Sequence, residues 1–497
     1  MIDIYKKLEE LQQRRKIVFR GGGSEKHAEQ HRKGKLTARE RIDTLVDEGS
    51  FIELYPFMKK SEDSNDPPGE GVVVGYATIS KKPIYVFAHD FTVRGGSLGE
   101  LQGKKIASMM DLAAKTKVPI VGLNESAGAR IQEGVTALDG YGQIFYRNVK
   151  YSGVIPQISI ILGPNAGGAV YSPALTDFII MVKDISQMYI TGPKVIEAIT
   201  KETVSAEDLG GTYMHAVVNG NCHFLATNEQ EAFQITAKLL TFINTTTMSN
   251  ELTARDYCNS LHELVPSESG KTYDVISIIE TIVDDGSFLE VHKYFAKNIV
   301  VGFASLLGKS VGIVSNQPKH MAGGIDSNAS DKAARFIRFC DCFNIPIITL
   351  EDVTGFYPGI RYEKEGIIRH GAKLVYAFAE ATVPKITVIL RKAYGGAFVA
   401  MNSKALGADL LYAWPSAEIA VMGPEGASSV FKTDEKDNEI RTNLPNNSTS
   451  PYYAAAKGMV DDIIDPRETR IKLIQSLIML EQKNETAPIR KHGNIPL

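Results

Sequence analysis

Two short stretches of the sequence place a pair of glycines and an alanine just after a run of apolar residues. These six residues are Gly167, Gly168 and Ala169 in the first stretch and Gly395, Gly396 and Ala397 in the second. Glycine allows a positive φ and lets the backbone approach a ligand closely. If a helix begins at each pair, its first N–H groups lack a partner within the helix and can bind a negatively charged oxygen. The pattern therefore predicts two oxyanion holes, with these six residues as the catalytic groups.

Neither stretch matches a motif for a nucleotide or for a nucleophile. Both lack the phosphate-binding pattern G-x-x-x-x-G-K-[ST] and the G-x-S-x-G pattern that carries a catalytic serine. A single glycine pair could also be a tight turn that binds no ligand. Because the pair occurs twice at matched positions, the functional interpretation is favoured. Two oxyanion holes suit a reaction that moves a carboxyl group between a thioester α-carbon and a ureido nitrogen, because an oxygen at each centre becomes negatively charged.

The two stretches belong to a longer internal repeat. The segment VDEGSFIEL at 46–54 returns as VDDGSFLEV at 283–291, and the apolar run ISIIL at 158–162 returns as ITVIL at 386–390. Matched segments in the same order, at a nearly constant offset, indicate tandem copies of one domain. We therefore predict two domains, residues 1–255 and residues 256–497.

Each copy alternates predicted strands with predicted helices, which is typical of an α/β domain. In the first copy, a strand at 83–88 is followed by a glycine turn and by a helix from Leu98 to Lys115, for which Ser97 and Glu100 form a capping-box pattern. Nearer the N-terminus, three consecutive glycines end a first helix. A second helix is predicted to start at Thr37, with another capping box.

Composition narrows the class of protein. The 497 residues are 43% hydrophobic and 23% charged, with a formal net charge of -3, which argues against attraction to nucleic acid or to a membrane surface. The four cysteines form no C-x-x-C pair, so a zinc ribbon is not expected, and no other metal site is predicted. We find no signal region and no apolar run of about 20 residues, so we expect a cytoplasmic protein without membrane insertion.

Longer motifs resemble one family. ESAGARIQEG at 125–134 and GPNAGGAVYSPALTDF at 163–178 resemble the N-terminal half of the carboxyltransferase subunits of acyl-CoA carboxylases. RKAYGGA at 391–397 and AWPSAEIAVMGPEGA at 413–427 resemble the C-terminal half. The resemblance covers nearly the whole chain. The family includes propionyl-CoA carboxylase β-chains and methylmalonyl-CoA decarboxylase α-chains.

The resemblance implies two tandem crotonase-like domains and a hexamer made of two trimers. It implies transfer of a carboxyl group between carboxybiotin and propionyl-CoA or acetyl-CoA, giving methylmalonyl-CoA or malonyl-CoA. The partners would be a biotin carboxylase and a separate biotin carboxyl carrier subunit. On this view the first glycine turn holds the thioester enolate and the second the ureido oxygen. We expect a bulky residue at Gly168 to abolish transfer while folding survives.

Three other functions stay open at this point. The same chemistry could run in reverse, in a decarboxylase coupled to a membrane pump. A crotonase-type hydratase or isomerase would need two positioned carboxylates per site and no biotin. A CoA-binding scaffold without catalysis would not require intact glycines in both copies.

Eleven further residues are candidates for substrate binding. They are Ala127, Gly128, Ala129 and Tyr171 near the first turn, Gly355, Phe356, Tyr394, Phe398 and Val399 near the second, and Arg39 and Arg41 in a basic cluster. The two arginines could meet the phosphates of CoA or lie on a solvated face, and Tyr394 and Phe398 could line a biotin slot or the core. Val399 stands where propionyl-selective relatives often carry an acidic residue, which leaves the acyl preference open.

Three acidic residues end predicted core strands beside glycine turns. They are Glu125, Glu351 and Asp352. Each could act as an acid or base, or could make structural hydrogen bonds. The segment 357–366 that follows also departs from the family pattern, and its charges could change access to the second turn.

Overall fold

The computed structural model describes residues 4–60, 69–243, 258–268, 270–423, 448–486 and 488–497. The chain forms two compact units, Met1–Lys238 and Leu239–Leu497. The domain boundary predicted at 255/256 lies outside the described residues and stays a prediction.

Unit 1 contains helices α1–α8, most of α9, and strands β1–β8. The helices are α1 Ile4–Arg20, α2 Ser24–Arg32, α3 Ala38–Leu45, α4 Glu100–Thr116, α5 Val135–Lys150, α6 Gly168–Leu175, α7 Pro193–Thr200, α8 Ala206–Gly210 and α9 Glu229–Phe242. The strands are β1 Ile52–Leu54, β2 Val72–Ile79, β3 Lys82–His89, β4 Ile120–Ser126, β5 Gln157–Ala166, β6 Phe178–Val182, β7 Gln187–Tyr189 and β8 Phe224–Ala226.

Unit 2 contains helices α10–α16 and strands β9–β16. The helices are α10 Val275–Ile282, α11 Ser327–Cys342, α12 Ile360–Lys364, α13 Ile367–Glu380, α14 Gly395–Ala400, α15 Pro451–Ala456 and α16 Thr469–Met479. The strands are β9 Leu289–Val291, β10 Ile299–Leu306, β11 Lys309–Asn316, β12 Ile347–Val353, β13 Lys385–Tyr394, β14 Leu410–Ala413, β15 Glu418–Ala420 and β16 Asp462–Ile463.

The two sheets have the same topology, which confirms the duplication. The first runs β1-β2-β3-β4-β5-β6-β8 with β7 beside β5, and the second runs β9-β10-β11-β12-β13-β14-β16 with β15 beside β13. In each sheet the first two pairings are antiparallel and the others are parallel. Every residue of β4 and β12 is buried, as expected for a parallel strand covered on both faces.

Two predicted helix starts had different outcomes. The Thr37 start is confirmed, because the Thr37 hydroxyl and the Glu40 carboxylate form a capping box at α3. The Ser97 start is wrong, because α4 begins at Glu100 with Gly99 as its N-cap. There the Glu133 carboxylate accepts the N–H of Glu100 at 2.9 Å. Glu133, which is distant in sequence, therefore places a negative charge at the start of α4, where the capping box of Ser97 and Glu100 was predicted.

A buried lysine lies at the matched position of the long helix in each unit. Nζ of Lys332 on α11 lies 2.8–3.3 Å from four backbone carbonyl oxygens of the segment that leads into β10, those of His292, Phe295, Ala296 and Ile299. Nζ of Lys105 on α4 lies 2.9 and 2.6 Å from the carbonyl oxygens of Gly69 and Val72. Each lysine thus donates to several backbone carbonyl groups, of which those of His292, Ala296 and Gly69 also accept a backbone N–H.

Within the described residues, every helix is too short or too polar to span a bilayer.

Candidate active site

The first glycine turn leaves two backbone N–H groups available. Strand β5 continues to Ala166, Gly167 has a φ of 58°, and α6 begins at Gly168. The Gly167 N–H donates to the carbonyls of Tyr189 and Ile190, at 3.2 and 3.0 Å. No acceptor among the described residues takes the N–H of Gly168 or Ala169, as expected for the first turn of a helix. Gly167 therefore shapes the turn, and the next two residues supply the donors.

The second turn has the same chain path and is more open. Strand β13 ends at Tyr394, Gly395 has a φ of 65°, and the exposed Gly396 follows in α14. Within the described part of the chain, the N–H groups of Gly396 and Ala397 have no acceptor. A Cβ atom at Gly396 would meet no other atom within 4 Å. A side chain there would therefore project into open space at the start of α14.

The first turn differs in what lies beneath it. A Cβ atom at Gly168 would lie 2.7 Å from the ring of Tyr141 on α5, which is closer than packing allows. A bulky residue at Gly168 would have to displace that ring, on which helix α6 rests, and the expectation that folding survives stays a prediction. Sequence reasoning missed this contact, since Tyr141 lies in a helix that the repeat did not single out.

The predicted neighbours of the first turn do lie beside it. Gly128 has a φ of 98°, and a Cβ atom there would approach the carbonyl oxygen of Ala166 to 2.9 Å. Ala127 is exposed and Ala129 forms an isolated parallel bridge with Leu98. Tyr171 is half exposed on the first turns of α6. The segment 127–129 thus meets the end of β5 just before the glycines.

Near the second turn, the aromatic candidates are more buried than the aliphatic one. Phe398 lies in the core beside Ile389, so the core interpretation holds for its ring. The Tyr394 hydroxyl donates to the Glu418 carboxylate, and burial together with this carboxylate raises the pKa of Tyr394. Val399 is 40% exposed and is the candidate with a side chain open to solvent.

The loop residues Gly355 and Phe356 occupy the positions in unit 2 that correspond to Gly128 and Ala129 in unit 1. Gly355 has a φ of 139°, and its carbonyl accepts the N–H of Ile325 at 3.0 Å. The Phe356 ring packs on Gly371 of α13, where a Cβ atom would come within 2.8 Å. Phe356 therefore fixes α13 against the loop.

Comparisons with known proteins identify the family. The model of the carboxyl transferase domain matches residues 29–495. A Bacillus subtilis (strain 168) protein with the provisional name propionyl-CoA carboxylase beta chain is 57% identical to this chain. The match covers 97% of this chain and 98% of that protein. Subunit alpha of methylmalonyl-CoA decarboxylase from Veillonella parvula is 52% identical over 100% of both chains. The chain belongs to the carboxyl transferase family.

A solved structure extends this result to the fold. The crystal structure of transcarboxylase 12S, with methylmalonyl-coenzyme A and methylmalonic acid bound, matches this carboxyltransferase with a TM-score of 0.95. The two chains are 48% identical, and each is covered over 100% of its length. The prediction of two tandem crotonase-like domains is confirmed.

The two basic candidates of this carboxyltransferase have different surroundings. Arg41 is buried, with Nη1 2.6 Å from Glu125 and Nη2 2.8 Å from Glu229, so it is neither on a solvated face nor open to a phosphate. Arg39 forms two 2.9 Å hydrogen bonds with Glu53, and its guanidinium lies 4.4 Å from the centre of the Phe19 ring. Arg39 also lines a cavity of about 440 Å³ between α1, α3 and β1.

The three acidic candidates separate into two kinds. Glu125 and Asp352 are paired with buried cations, Arg41 and Arg391. Burial raises the pKa of Asp352, while Arg391 opposes the shift. Glu351 is fully buried, and neither of its carboxyl oxygens has a hydrogen-bond partner among the described residues. Burial, with a smaller effect of Asp352, raises the pKa of Glu351 well above its usual value.

Replacing Glu351 with leucine is expected to stabilise unit 2, and more so at alkaline pH. Since the pKa is raised, the folded chain binds more protons than the unfolded chain between pH 4.5 and the folded-state pKa, so the wild-type free energy of unfolding falls as pH rises. Leucine removes both this loss and an unsatisfied buried group, worth roughly 1–3 kcal/mol. The melting temperature should therefore rise by several degrees at pH 8 and by less at pH 5.

The single tryptophan, Trp414, is buried in the core of unit 2 and reports the transition by fluorescence. The matched control is Glu280→Leu on the exposed face of α10, which should change the melting temperature little at either pH. A lower melting temperature for Glu351→Leu at pH 8 would show that the carboxyl group is needed where it lies.

Proposed function

We propose that this protein moves a carboxyl group between carboxybiotin, held on a separate carrier protein, and the α-carbon of propionyl-CoA or acetyl-CoA. The observation that carries the proposal is the pair of matched turns, each with two N–H groups that have no acceptor among the described residues. These are the amides of Gly168 and Ala169 and of Gly396 and Ala397. Relatives named for propionyl-CoA and for methylmalonyl-CoA support this class of thioester.

The two turns have separate tasks. The first turn holds the thioester oxygen while the α C–H bond breaks and negative charge collects on that oxygen. The second turn holds the ureido oxygen. When bound, carboxybiotin would supply the carboxyl group and, with its N–C bond broken, a ring nitrogen able to accept the α-proton. A new C–C bond joins the carboxyl carbon to the α-carbon, so atoms and charge balance.

Substrate contacts follow from the neighbourhood of each turn. Residues 127–129 and Tyr171 would flank the thioester, and Val399 would meet the acyl group or the biotin ring at the second turn. We keep Arg39 as a CoA contact, because an arginine next to an aromatic ring at the rim of a cavity suits the adenine nucleotide end. We leave out Arg41, which is bound to Glu125 and Glu229.

We also propose that the active form is a hexamer of two trimers that works with a biotin carboxylase and a biotin carboxyl carrier subunit. The structural relative transcarboxylase 12S assembles as a hexamer. Exposed apolar side chains on α5 support burial against another copy, including Val135 at 77% and Tyr146 at 64% exposure. Unit 2 exposes Ile368 and Val421 in the same way.

The proposal predicts that the purified chain decarboxylates methylmalonyl-CoA or malonyl-CoA only when free biotin is present. In this direction the carboxyl group passes to the biotin nitrogen, and the nitrogen proton passes to the α-carbon. Product formation can be followed as propionyl-CoA or acetyl-CoA by chromatography, and kcat/KM for the two substrates gives the acyl preference. Equal turnover without biotin, or a hydrated or isomerised product, would contradict the proposal and favour the crotonase-type alternative.

The physiological direction needs a second observation. Because relatives include both a carboxylase chain and a decarboxylase chain, similarity does not decide between them. Isolation of the native complex distinguishes the two. A biotin carboxylase that copurifies supports carboxylation, and a membrane-bound decarboxylase subunit supports the reverse reaction.

A further inference from the structure

A buried carboxylate occupies the same place in both units. Glu125 and Asp352 are each the penultimate residue of the central strand, β4 or β12, and are 0% and 1% exposed. Each lies opposite a break in the register with the next strand. The pairing jumps from Asn124↔Ile161 to Ser126↔Asn165 in the first sheet and from Glu351↔Ile389 to Val353↔Ala393 in the second.

These jumps are bulges that lie just before the two glycine turns. In each case β5 or β13 carries two more residues than its partner strand between the paired positions. Such a bulge re-aims the end of a strand. After it, only a few residues remain before Gly167 or Gly395. The direction of the turn amides therefore depends on how each bulge is held.

In unit 2, Asp352 binds the bulge directly. Its Oδ1 accepts the backbone N–H of Lys392 at 3.1 Å, and its Oδ2 accepts Nε of Arg391 at 3.0 Å. Oδ2 also accepts the Tyr273 hydroxyl at 2.8 Å. Arg391 is held in turn, because Nη1 donates to the carbonyl of Lys271 at 2.8 Å. Two consecutive residues of the bulge are thus tied to one carboxylate.

In unit 1, Glu125 fills the bulge by a different route. A Cβ atom at Gly163 would lie 2.5 Å from Cδ of Glu125, so the carboxylate takes the space where unit 2 has the Arg391 side chain. The cations come from the N-terminal segment. Arg41 contacts Glu125 through Nη1 and the bulge carbonyl of Leu162 through Nη2, at 2.6 and 2.8 Å, and Lys35 also contacts Glu125.

We infer that Glu125 and Asp352 are positioning residues for carboxyl transfer, which hold the bulges and thereby aim the amides of the two glycine turns. The counter-ions differ between the copies, while the carboxylate, the bulge and the turn are the same. The carboxylate is thus the common requirement. This inference rests on the proposed function, because it concerns the same two turns. Both carboxylates are buried and bound to groups of the protein itself.

The test compares Asp352→Asn, Asp352→Glu, Glu125→Gln and Glu125→Asp in the full chain, in the biotin-dependent decarboxylation of methylmalonyl-CoA. The Asn and Gln variants remove the charge. The Glu and Asp variants keep the charge but move it by about one methylene. For a positioning role, all four variants lower kcat, by roughly 10- to 100-fold, while KM for methylmalonyl-CoA stays within about twofold.

Stability measurements separate positioning from folding. Removing the charge leaves Arg391 without its carboxylate partner in Asp352→Asn and leaves Arg41 with Glu229 alone in Glu125→Gln, so both variants are expected to melt earlier. The charge-retaining variants are the decisive ones. If Asp352→Glu and Glu125→Asp melt as wild type and keep wild-type kcat, the inference is overturned and the pairs are structural only. If the wild-type chain itself shows no biotin-dependent activity, the proposed function fails instead.

Discussion

Replacing Gly396 with valine is expected to slow carboxyl transfer by roughly 100- to 1000-fold, the loss typical for an oxyanion-hole donor. The wild-type Gly396 has open space where a side chain would point. Because side chains on a helix lean toward its N-terminus, where the donor amides also face, we expect the valine methyl groups to hinder a ligand oxygen there. The φ of Gly396 is not in the left-handed region, so the backbone can accept a side chain. Initial rates of biotin-dependent decarboxylation provide the measurement.

Stability should change little in the Gly396→Val variant, which makes it a sharper test than Gly168. Gly270→Val serves as the matched control, because Gly270 is exposed and a Cβ atom there would also meet nothing within 4 Å. The control should keep both its rate and its melting temperature. If Gly396→Val retains more than about a tenth of the wild-type rate, the second turn does not act as an oxyanion hole.

Replacing Lys332 with methionine is expected to destabilise unit 2 by roughly 2–4 kcal/mol, because the carbonyl oxygens of Phe295 and Ile299 lose the Lys332 donor. Methionine fills a similar volume, so the loss reports hydrogen bonding more than packing. The melting transition followed by Trp414 fluorescence should fall by several degrees. The corresponding helix of unit 1 offers the control Lys104→Met, since Lys104 is exposed and forms a surface pair with Glu100 at 2.6 Å.

The effect of Lys332→Met should also depend on pH. Burial lowers the pKa of Lys332 to about 7, below the value of about 10.4 in an unfolded chain. Between these values the unfolded wild-type chain binds more protons, so wild-type stability rises with pH, and methionine removes this gain. The difference in melting temperature should be larger at pH 9 than at pH 7. A difference that shrinks on going to pH 9 would contradict the lowered pKa.

The repeat in the sequence predicted most of the fold, because both copies keep the same order of apolar runs and glycine turns. Residues that need φ values near 60°, such as Gly167 and Gly395, are visible in a sequence as glycine pairs after a strand. Start positions were harder to predict. The Ser97 prediction failed because Glu133 binds the N–H of Glu100, the first residue of α4, from 33 residues further along the chain.

The buried charges were the part of the site that the sequence could not reveal. Arg41 and Lys35 stand among exposed basic residues, so their pattern resembles a solvated face, yet both side chains reach Glu125 in the interior. The available signal was in the comparison of the two copies. Arg391 in the second copy aligns with Gly163 in the first, whereas both copies have an acidic residue at the position of Glu125 and Asp352. The first copy therefore lacks the cation on this strand, which indicates that another part of the chain must supply one.

This difference in partners has a consequence for shortened forms of the chain. In the second half, Arg391 on the strand that leads to the turn is the counter-charge of Asp352. In the first half, Arg41 on helix α3, which precedes the sheet, is the counter-charge of Glu125. A chain without its N-terminal helices would lose Arg41, so Glu125 would lack that counter-charge, whereas the Asp352–Arg391 pair would stay intact. The two halves therefore differ in how far they depend on the N-terminal helices, although their sheets have the same topology.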